Sequence, residues 1–546
     1  MTLMMPRPKP SRHGRALLAA IVAASGMAVA AQGPPTPSKR DAALQGLAAP
    51  GTVRVIVTTR AGTQSDVAAR LVGRGRVLVK QWTVINAVEA NLTADDLAAL
   101  DADPDVTGLS LDAPVALPTS TTTSASGECV ALQATLGLPA MGLTGRGVGV
   151  AVIDSGIQLN GDFSTVSFYD FTGGPAGGPY DDYGHGTHVS GLIASKGSQS
   201  QQTCLGIAPR VNLISLKVLD GTGAGATSTV IDALQFATEY KAQLGIDVIN
   251  LSLGHPILEP AATDPLVQAV EAAARAGIVV VASAGNVGRN IVTGEPGYAG
   301  ILSPGNAPSA ITAGALDTRA TPSRADDIVP TYSSRGPTWY DAQVKPDLVA
   351  PGHNLVSDAA IGSSLYTQYP DRRVGGNGNG NGARLFRLSG TSMAAAVTTG
   401  VVALLVEAAR GAGLAPSPQT IKDVLAYSAL PLAAADPLTQ GHGAINPSGA
   451  AALMTAVASG NAAVPDAAAT LPSPVTTIAG ESWTWGQTVV WGNTVVWGNT
   501  VVWGNTVVWG NTVVWGNTVV WGNTVVWGNT VVWGNSFSGI QINQLR

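Results

Sequence analysis

Between residues 129 and 455 short β-branched runs alternate with helix-length stretches, and this alternation limits the fold more than any other feature. VGVAVID, LISLKVL, DVINLSLG, GIVVVASAGN and SAITAGAL are the strand-like runs, with TSTVIDALQFATEYKAQLG and DPLVQAVEAAARAG among the helical stretches between them. The runs are apolar without strict alternation, as strands covered on both faces are, so the segment reads as an α/β domain with a parallel sheet flanked by helices. In such sheets chemistry gathers at the carboxyl ends of the strands. The chain has 546 residues, too many for one domain at about 100–200 residues each.

Ahead of this domain, residues 51–116 read as a smaller α+β unit. VRVIVTT, SDVAARLVGRG, VLVKQWTVINAVEANL, TADDLAALDADPDV and VTGLSLDAPV give a ferredoxin-like β-α-β-β-α-β order. Thr93 is a candidate N-cap, with Asp95 and Asp96 in the first turn where the helix dipole favours them. The Thr/Ser tract that follows makes residues 117–128 an exposed linker. Residues 1–31 read as a secretory signal peptide: Arg7, Lys9, Arg12 and Arg15 precede an apolar run from 16 to 31 that ends in small residues. The alternative is a retained anchor, but the run is shorter than the ~20 residues of a span.

Export makes a disulfide between Cys129 and Cys204 possible, with two buried free thiols as the alternative. Only 12% of residues are charged and the net charge is -5, so no nucleic-acid or other polyanion partner is implied.

Three segments place reactive side chains at element ends. VAVIDSGI puts Asp154 just after a strand, DDYGHGTHVSG puts His185 in a Gly-flanked turn opening a helix, and LSGTSMAAAV puts Ser392 at the start of an apolar helix. A hydroxyl to attack, an imidazole to take its proton and a carboxylate to orient the imidazole are what nucleophilic acyl transfer needs. A helix N-terminus adds free N–H groups for the oxyanion. Other histidines, His188, His255, His353 and His442, the last three beside Gly, read as turn, surface or packing residues.

VIDSGI, HGTHVSG and GTSMA, in the order Asp, His, Ser, resemble the catalytic motifs of the subtilisin family of serine proteases (peptidase S8); INLSLG, ASAGN, YSSRGP and KPDLVAPG resemble its other recurrent segments. The resemblance covers residues 129–455, and 51–116 looks like the family's inhibitory propeptide of the I9 type. It implies a secreted serine endopeptidase acting through an acyl-enzyme, made as a zymogen and matured by autocleavage within 117–128. Asp154, His185 and Ser392 match the triad, and Asn286 the oxyanion-hole donor. Ser252, Leu253 and Gly254 match one wall of the primary specificity pocket, and Ala282, Ser283, Ala284 and Gly285 the other. Gly223, Ala224 and Gly225 fall where the family pairs substrate backbone as an added strand.

The partners implied are protein or peptide substrates and the chain's own propeptide. Catalysis of this kind requires no cofactor. Family members often bind structural calcium, and Asp162 lies where one ligand occurs, without a complete ligand set around it in the sequence. The chain departs from the family at Ala396, where proline usually closes the serine motif, so the placement of Ser392 is the point to examine. A fold retained as a non-catalytic binding module, an esterase, and an attachment protein led by its tail are the competing readings.

Residues 456–487 read as a linker. From 488 to 535 the hexapeptide TVVWGN recurs eight times without variation. Its even length puts every Trp on one face of an extended chain, while Gly-Asn between β-prone runs is a hairpin signal. A meander, a narrow solenoid and a stacked surface are all compatible with it, as are contact with a cell surface, self-association, and no role at all. The Gly/Asn run at 375–382 reads as a surface loop.

Overall fold

The computed structural model describes residues 38–45, 51–117 and 129–485, apart from 164–165, 175–176, 290–293, 377–381, 461–463, 465–473 and 479, together with seven short strands between 495 and 532. The signal-peptide segment and residues 118–128 lie outside the described residues. The chain divides into a leading unit, Met1–Lys39, and a unit Arg40–Arg546 that holds everything below.

After a single helical turn, α1 (Ala42–Gln45), the first six elements follow the sequence expectation: β1 (Val53–Thr59), α2 (Gln64–Gly73), β2 (Leu78–Trp82), β3 (Ala87–Leu92), α3 (Ala94–Asp101) and β4 (Val106–Leu111). They form an antiparallel sheet in the order β2-β3-β1-β4. Thr93 caps α3 in a reciprocal capping box, its Oγ1 accepting the Asp96 N–H and Asp96 Oδ2 accepting the Thr93 N–H.

Strand alternation sorts the two faces of this sheet. Val55, Val57, Val88 and Ala90 pack on Val67, Leu71, Leu97 and Leu100 of the small unit's own helices. Ile56, Trp82 and Ala87 belong instead to the core of the large domain. The small sheet is thus buried on both sides.

A connecting helix, α4 (Cys129–Thr135), leads into the large domain. Its sheet is built from β6 (Gly149–Asp154), β7 (Val166–Asp170), β8 (Asn212–Lys217), β10 (Ile246–Leu251), β12 (Val279–Ser283), β14 (Ile311–Leu316) and β15 (Leu348–Pro351). All seven are parallel, in the order β15-β14-β12-β10-β6-β8-β7. Every residue of β6, β12 and β14 is buried, as a sheet covered on both faces requires. The covering helices are α5 (His185–Ala194), α6 (Thr227–Glu239) with its short continuation α7 (Lys241–Leu244), α8 (Pro265–Arg275) and the long apolar α10 (Thr391–Gly411), with a one-turn α9 (Ser364–Gln368) between the last two. Helix α10 packs on β10, β12, β14 and α5 and is a core helix.

Two short strands line the cleft: β5 (Pro114–Ala116), the end of the small unit, pairs antiparallel with β9 (Ala224–Ala226).

One boundary needs correction. Residues 456–487, expected to be a linker, are in their described part packed structure. The last domain helix runs Pro447–Gly460, and the hairpin Val475–Ile478/Glu481–Thr484 follows. Ile478 and Trp485 are buried in the main core, and Asn446 Nδ2 donates to Thr476 Oγ1 at 3.1 Å. An Ala-rich stretch broken by Pro, Ser and Thr, with no strand or helix period, hid these few large apolar anchors.

In the repeat region each strand pairs in parallel with the strand three hexads on: Val495 with Val513 and Val513 with Val531, Val501 with Val519, Val507 with Val525. Pairing at this spacing is that of a narrow solenoid with three hexads per coil. The hairpin signal of Gly-Asn is not realised, because a meander would pair neighbours antiparallel.

Candidate active site

Asp154 is the last residue of β6 and is 1% exposed. Its carboxylate meets Nδ1 of His185, the first residue of α5, at 2.8 Å (Oδ1) and 2.9 Å (Oδ2). That contact fixes the ring and leaves Nε2 as the working nitrogen.

The turn that presents His185 is fastened by two residues that the motif reading did not single out. Asp181 Oδ1 accepts the Gly184 N–H and the Ser155 hydroxyl, and Oδ2 accepts the Thr187 N–H and hydroxyl. Ser155 Oγ in turn accepts the Gly186 N–H at 2.9 Å. Gly186 has no alternative: a Cβ there would come 2.2 Å from the Gly156 carbonyl oxygen. Buried Lys217 ties the strand ends together, donating to the Ser155 and Leu219 carbonyls and to Asp182.

Ser392 is the second residue of α10, 2% exposed. Its hydroxyl donates to the Ser252 carbonyl at 3.1 Å, and Ser252 Oγ donates back to the Ser392 carbonyl at 3.1 Å. Ser252 is held by Asn250 Nδ2, whose own Oδ1 accepts from Thr399 of the same helix. This reciprocal clamp positions Ser392 without a proline at 396, and α10 runs unbroken through buried Ala396. In this structure the hydroxyl rests on Ser252 rather than on His185; catalytic hydrogen bonds commonly tighten only with substrate.

Asn286 lies beyond the end of β12. Its Oδ1 accepts the Thr391 N–H at 2.9 Å and hydroxyl at 3.0 Å, while Thr391 Oγ1 accepts the Gly285 N–H. With its oxygen committed, the amide leaves its NH₂ beside Gly390, two residues before Ser392, where an added Cβ would lie 2.9 Å from Nδ2. Thr391, unmarked in the sequence reading, orients the donor.

The two pocket walls also converge on this point. Gly254 exchanges backbone hydrogen bonds with Ala116, N to O at 3.2 and 3.3 Å. On the other side of the same strand Val115 pairs with Gly225 and Ala116 with Ala224. The added strand is therefore met by residues 224–226. Gly223 is one step outside the pairing and packs on the Tyr183 ring, 2.5 Å from where its Cβ would be. Leu253 is buried, and Ala282, Ser283 and Ala284 close the second wall as buried residues running up to Gly285.

The remaining expected sites divide. His188 is fully buried, its Nε2 3.0 Å from the Phe386 carbonyl, and burial with His185 nearby pushes it down to about 3, so it is a neutral packing residue. Cys204 is disulfide-bonded, and the sequence has one other cysteine, Cys129.

Asp162 does not fit a cation. Its two oxygens accept the backbone N–H groups of Ser198 and Gln199, donors where a calcium site needs further oxygens. Beside it Asp358 is fully buried and pushed up to about 7 by burial and by the neighbouring Asp162. Among the described residues no group of three or more His, Cys, Asp or Glu is placed to hold a metal.

A buried carboxylate, an oriented imidazole, a hydroxyl at a helix N-terminus and a fixed amide donor are the set that acyl transfer requires. Residues 145–462 match the model of the subtilase family, Peptidase_S8. The serine protease AprX of Bacillus subtilis is 38% identical over 311 residues, 56% of this chain and 66% of its own length. M-protease of Shouchella clausii is 33% identical over 331 residues, covering 60% of this chain and 71% of that protein. Among solved structures, fervidolysin from Fervidobacterium pennivorans, a keratinolytic enzyme related to subtilisin, superposes with a TM-score of 0.54 at 22% identity, over 73% of this chain and 60% of that one, a likeness of fold. Motif order, sheet topology and the match over residues 145–462 agree, and the chain belongs to the subtilase family of serine proteases.

Proposed function

We propose that the protein is a secreted endopeptidase that cleaves peptide bonds through an acyl-enzyme on Ser392. In this reading His185 takes the Ser392 proton as the hydroxyl attacks the carbonyl carbon, and Asp154 stabilises the imidazolium so formed. The oxyanion is met by the Asn286 amide and the Ser392 N–H at the start of α10. His185 then gives its proton to the leaving amine, and the ester to Ser392 is hydrolysed by water through the same two steps in reverse order of partners.

One observation carries the reading: the chain's own β5 already lies as an added strand between Gly225 and Gly254, two residues from the Ser252 that holds the Ser392 hydroxyl. A cleft that pairs an extended backbone on both edges is built for polypeptide and not for a small ester. The same observation supports residues 51–116 as an inhibitory propeptide, removed by self-cleavage downstream of Leu117. The basic head and apolar run of residues 1–31 support export.

The test is casein hydrolysis by wild type and Ser392→Ala, with N-terminal mapping of both. Wild type should digest casein and begin within 118–128, and the mutant should do neither. A mutant that matures when produced alone would exclude self-cleavage; two inert proteins would favour the binding-module reading.

A further inference from the structure

A leucine, Leu302, packs against both the Gly254 wall and the Gly285 wall. Beyond Gly254 the chain forms β11 (His255–Pro256), which pairs antiparallel with β13 (Leu302–Ser303), Pro256 opposite Leu302. On the other side the Leu302 N–H donates to the Ala284 carbonyl at 3.1 Å. Leu302 therefore bridges both walls by its backbone. Its side chain lies against Gly285: a Cβ added there would come 2.7 Å from Leu302 Cγ and 3.0 Å from Cδ1. A Cβ added at Gly254 would meet Leu302 Cβ at 3.2 Å. The space freed by two glycines is thus taken by the isobutyl group of a third residue.

A peptide paired with Gly254 and attacked at Ser392 puts the side chain before the cut bond between these walls. We infer that this enzyme selects small, uncharged residues at that position, with Leu302 as the residue that sets the size limit. The inference rests on the endopeptidase reading. The proposed processing tract is in keeping with it: residues 118–128, PTSTTTSASGE, are Ser, Thr, Ala and Gly apart from Pro118 and Glu128, with no aromatic or basic side chain.

The test uses mature full-length enzyme and peptide anilides that differ only in the last residue: Ala, Val, Phe or Lys. kcat/KM for Ala should exceed that for Phe and for Lys by about tenfold or more, the discrimination a filled apolar pocket provides. Leu302→Gly, with Leu302→Ala as a second variant should glycine impair folding, should raise the Phe rate by about tenfold and narrow or invert the ratio. Wild type that prefers Phe or Lys, or active variants with an unchanged order, would overturn the inference. Loss of all hydrolysis together with no labelling of Ser392 by a fluorophosphonate would instead overturn the endopeptidase reading and this inference with it.

Discussion

Glu89, in the middle of β3, and Asp112, just past the end of β4, bring two carboxyl groups together beneath the docked small unit. Glu89 is fully buried on the face it shares with Ile56, its pairing partner on β1, with the Arg54 guanidinium 3.2 Å from one oxygen and the Asp112 carboxyl within reach of a hydrogen bond when Glu89 is protonated. Asp112 is engaged elsewhere, accepting the Ser228 N–H and hydroxyl and so capping α6 of the large domain.

This arrangement predicts that the small unit is released more readily as pH rises. Burial, reinforced by the Asp112 charge and opposed by Lys80 and Arg54, pushes Glu89 up to about 7. Glu259, which faces the same unit, is pushed up to about 8 by burial and by Asp264 and Asp41, against the hydroxyls of Ser110 and Thr263. Release exposes both carboxyls and returns them to about 4.5. The docked state therefore binds more protons between roughly pH 4.5 and 7–8, and docking weakens as pH climbs through that window. Activity after self-cleavage should appear faster at pH 8 than at pH 5.5, with Glu89 alone weakening docking by about thirtyfold over that interval. Glu89→Gln should flatten the dependence; an unchanged pH profile in that variant would refute the role of Glu89.

Asn286→Ala should lower kcat by about 10²–10³, the loss known for the corresponding donor in subtilisin, with KM little changed. Thr391→Val should act through Asn286, since both the hydroxyl and the N–H of Thr391 hold its Oδ1. A fall in kcat of about tenfold with unchanged KM is expected for the valine variant. Steady-state kinetics on one peptide substrate decide both. A KM effect in either would mean that the amide holds ground-state substrate instead.

Asp154→Asn should reduce kcat by about 10⁴, because an amide opposite Nδ1 favours the wrong imidazole tautomer. Asp181→Asn is a sharper probe of positioning. Asp181 touches no reacting atom, yet its four hydrogen bonds fix the turn before His185. Its loss should lower kcat and slow labelling of Ser392 by a fluorophosphonate in parallel. A loss of thermal stability with kcat intact would make Asp181 merely structural.

What the sequence made legible follows from where each determinant resides. The parallel sheet was readable because strands buried on both faces must be continuous apolar runs, as in GVAVID of β6. Asp154, His185, Ser392 and Asn286 were readable because each sits at an element end beside glycines that few other roles require. Thr391, Asp181 and the Asn250–Ser252 clamp were not, since common polar residues acquire such roles only through contacts made across the fold, over 105 positions between Asn286 and Thr391. Leu302 was hidden for the same reason: nothing near it in sequence says that it fills a gap left by two distant glycines. The packed extension after residue 455 escaped because so few apolar side chains anchor it.

That extension and the repeats should separate cleanly in a truncation series. Trp485 is 2% exposed and Ile478 is buried beside it in the main core. The hairpin that carries them is tied on by Thr476 to Asn446 and by Glu481 to the Ser323 hydroxyl at 2.7 Å. Trp485→Ala should cost about 3–5 kcal/mol of stability, the range for a buried Trp in a core, and ending the chain before residue 475 should cost at least as much. The repeats pair only with one another among the strands described, three hexads apart. Ending the chain after residue 487 should therefore leave Tm and peptide kcat/KM within error of the full chain. A fall in Tm on removing residues 488–546 alone would show that the solenoid supports the protease domain.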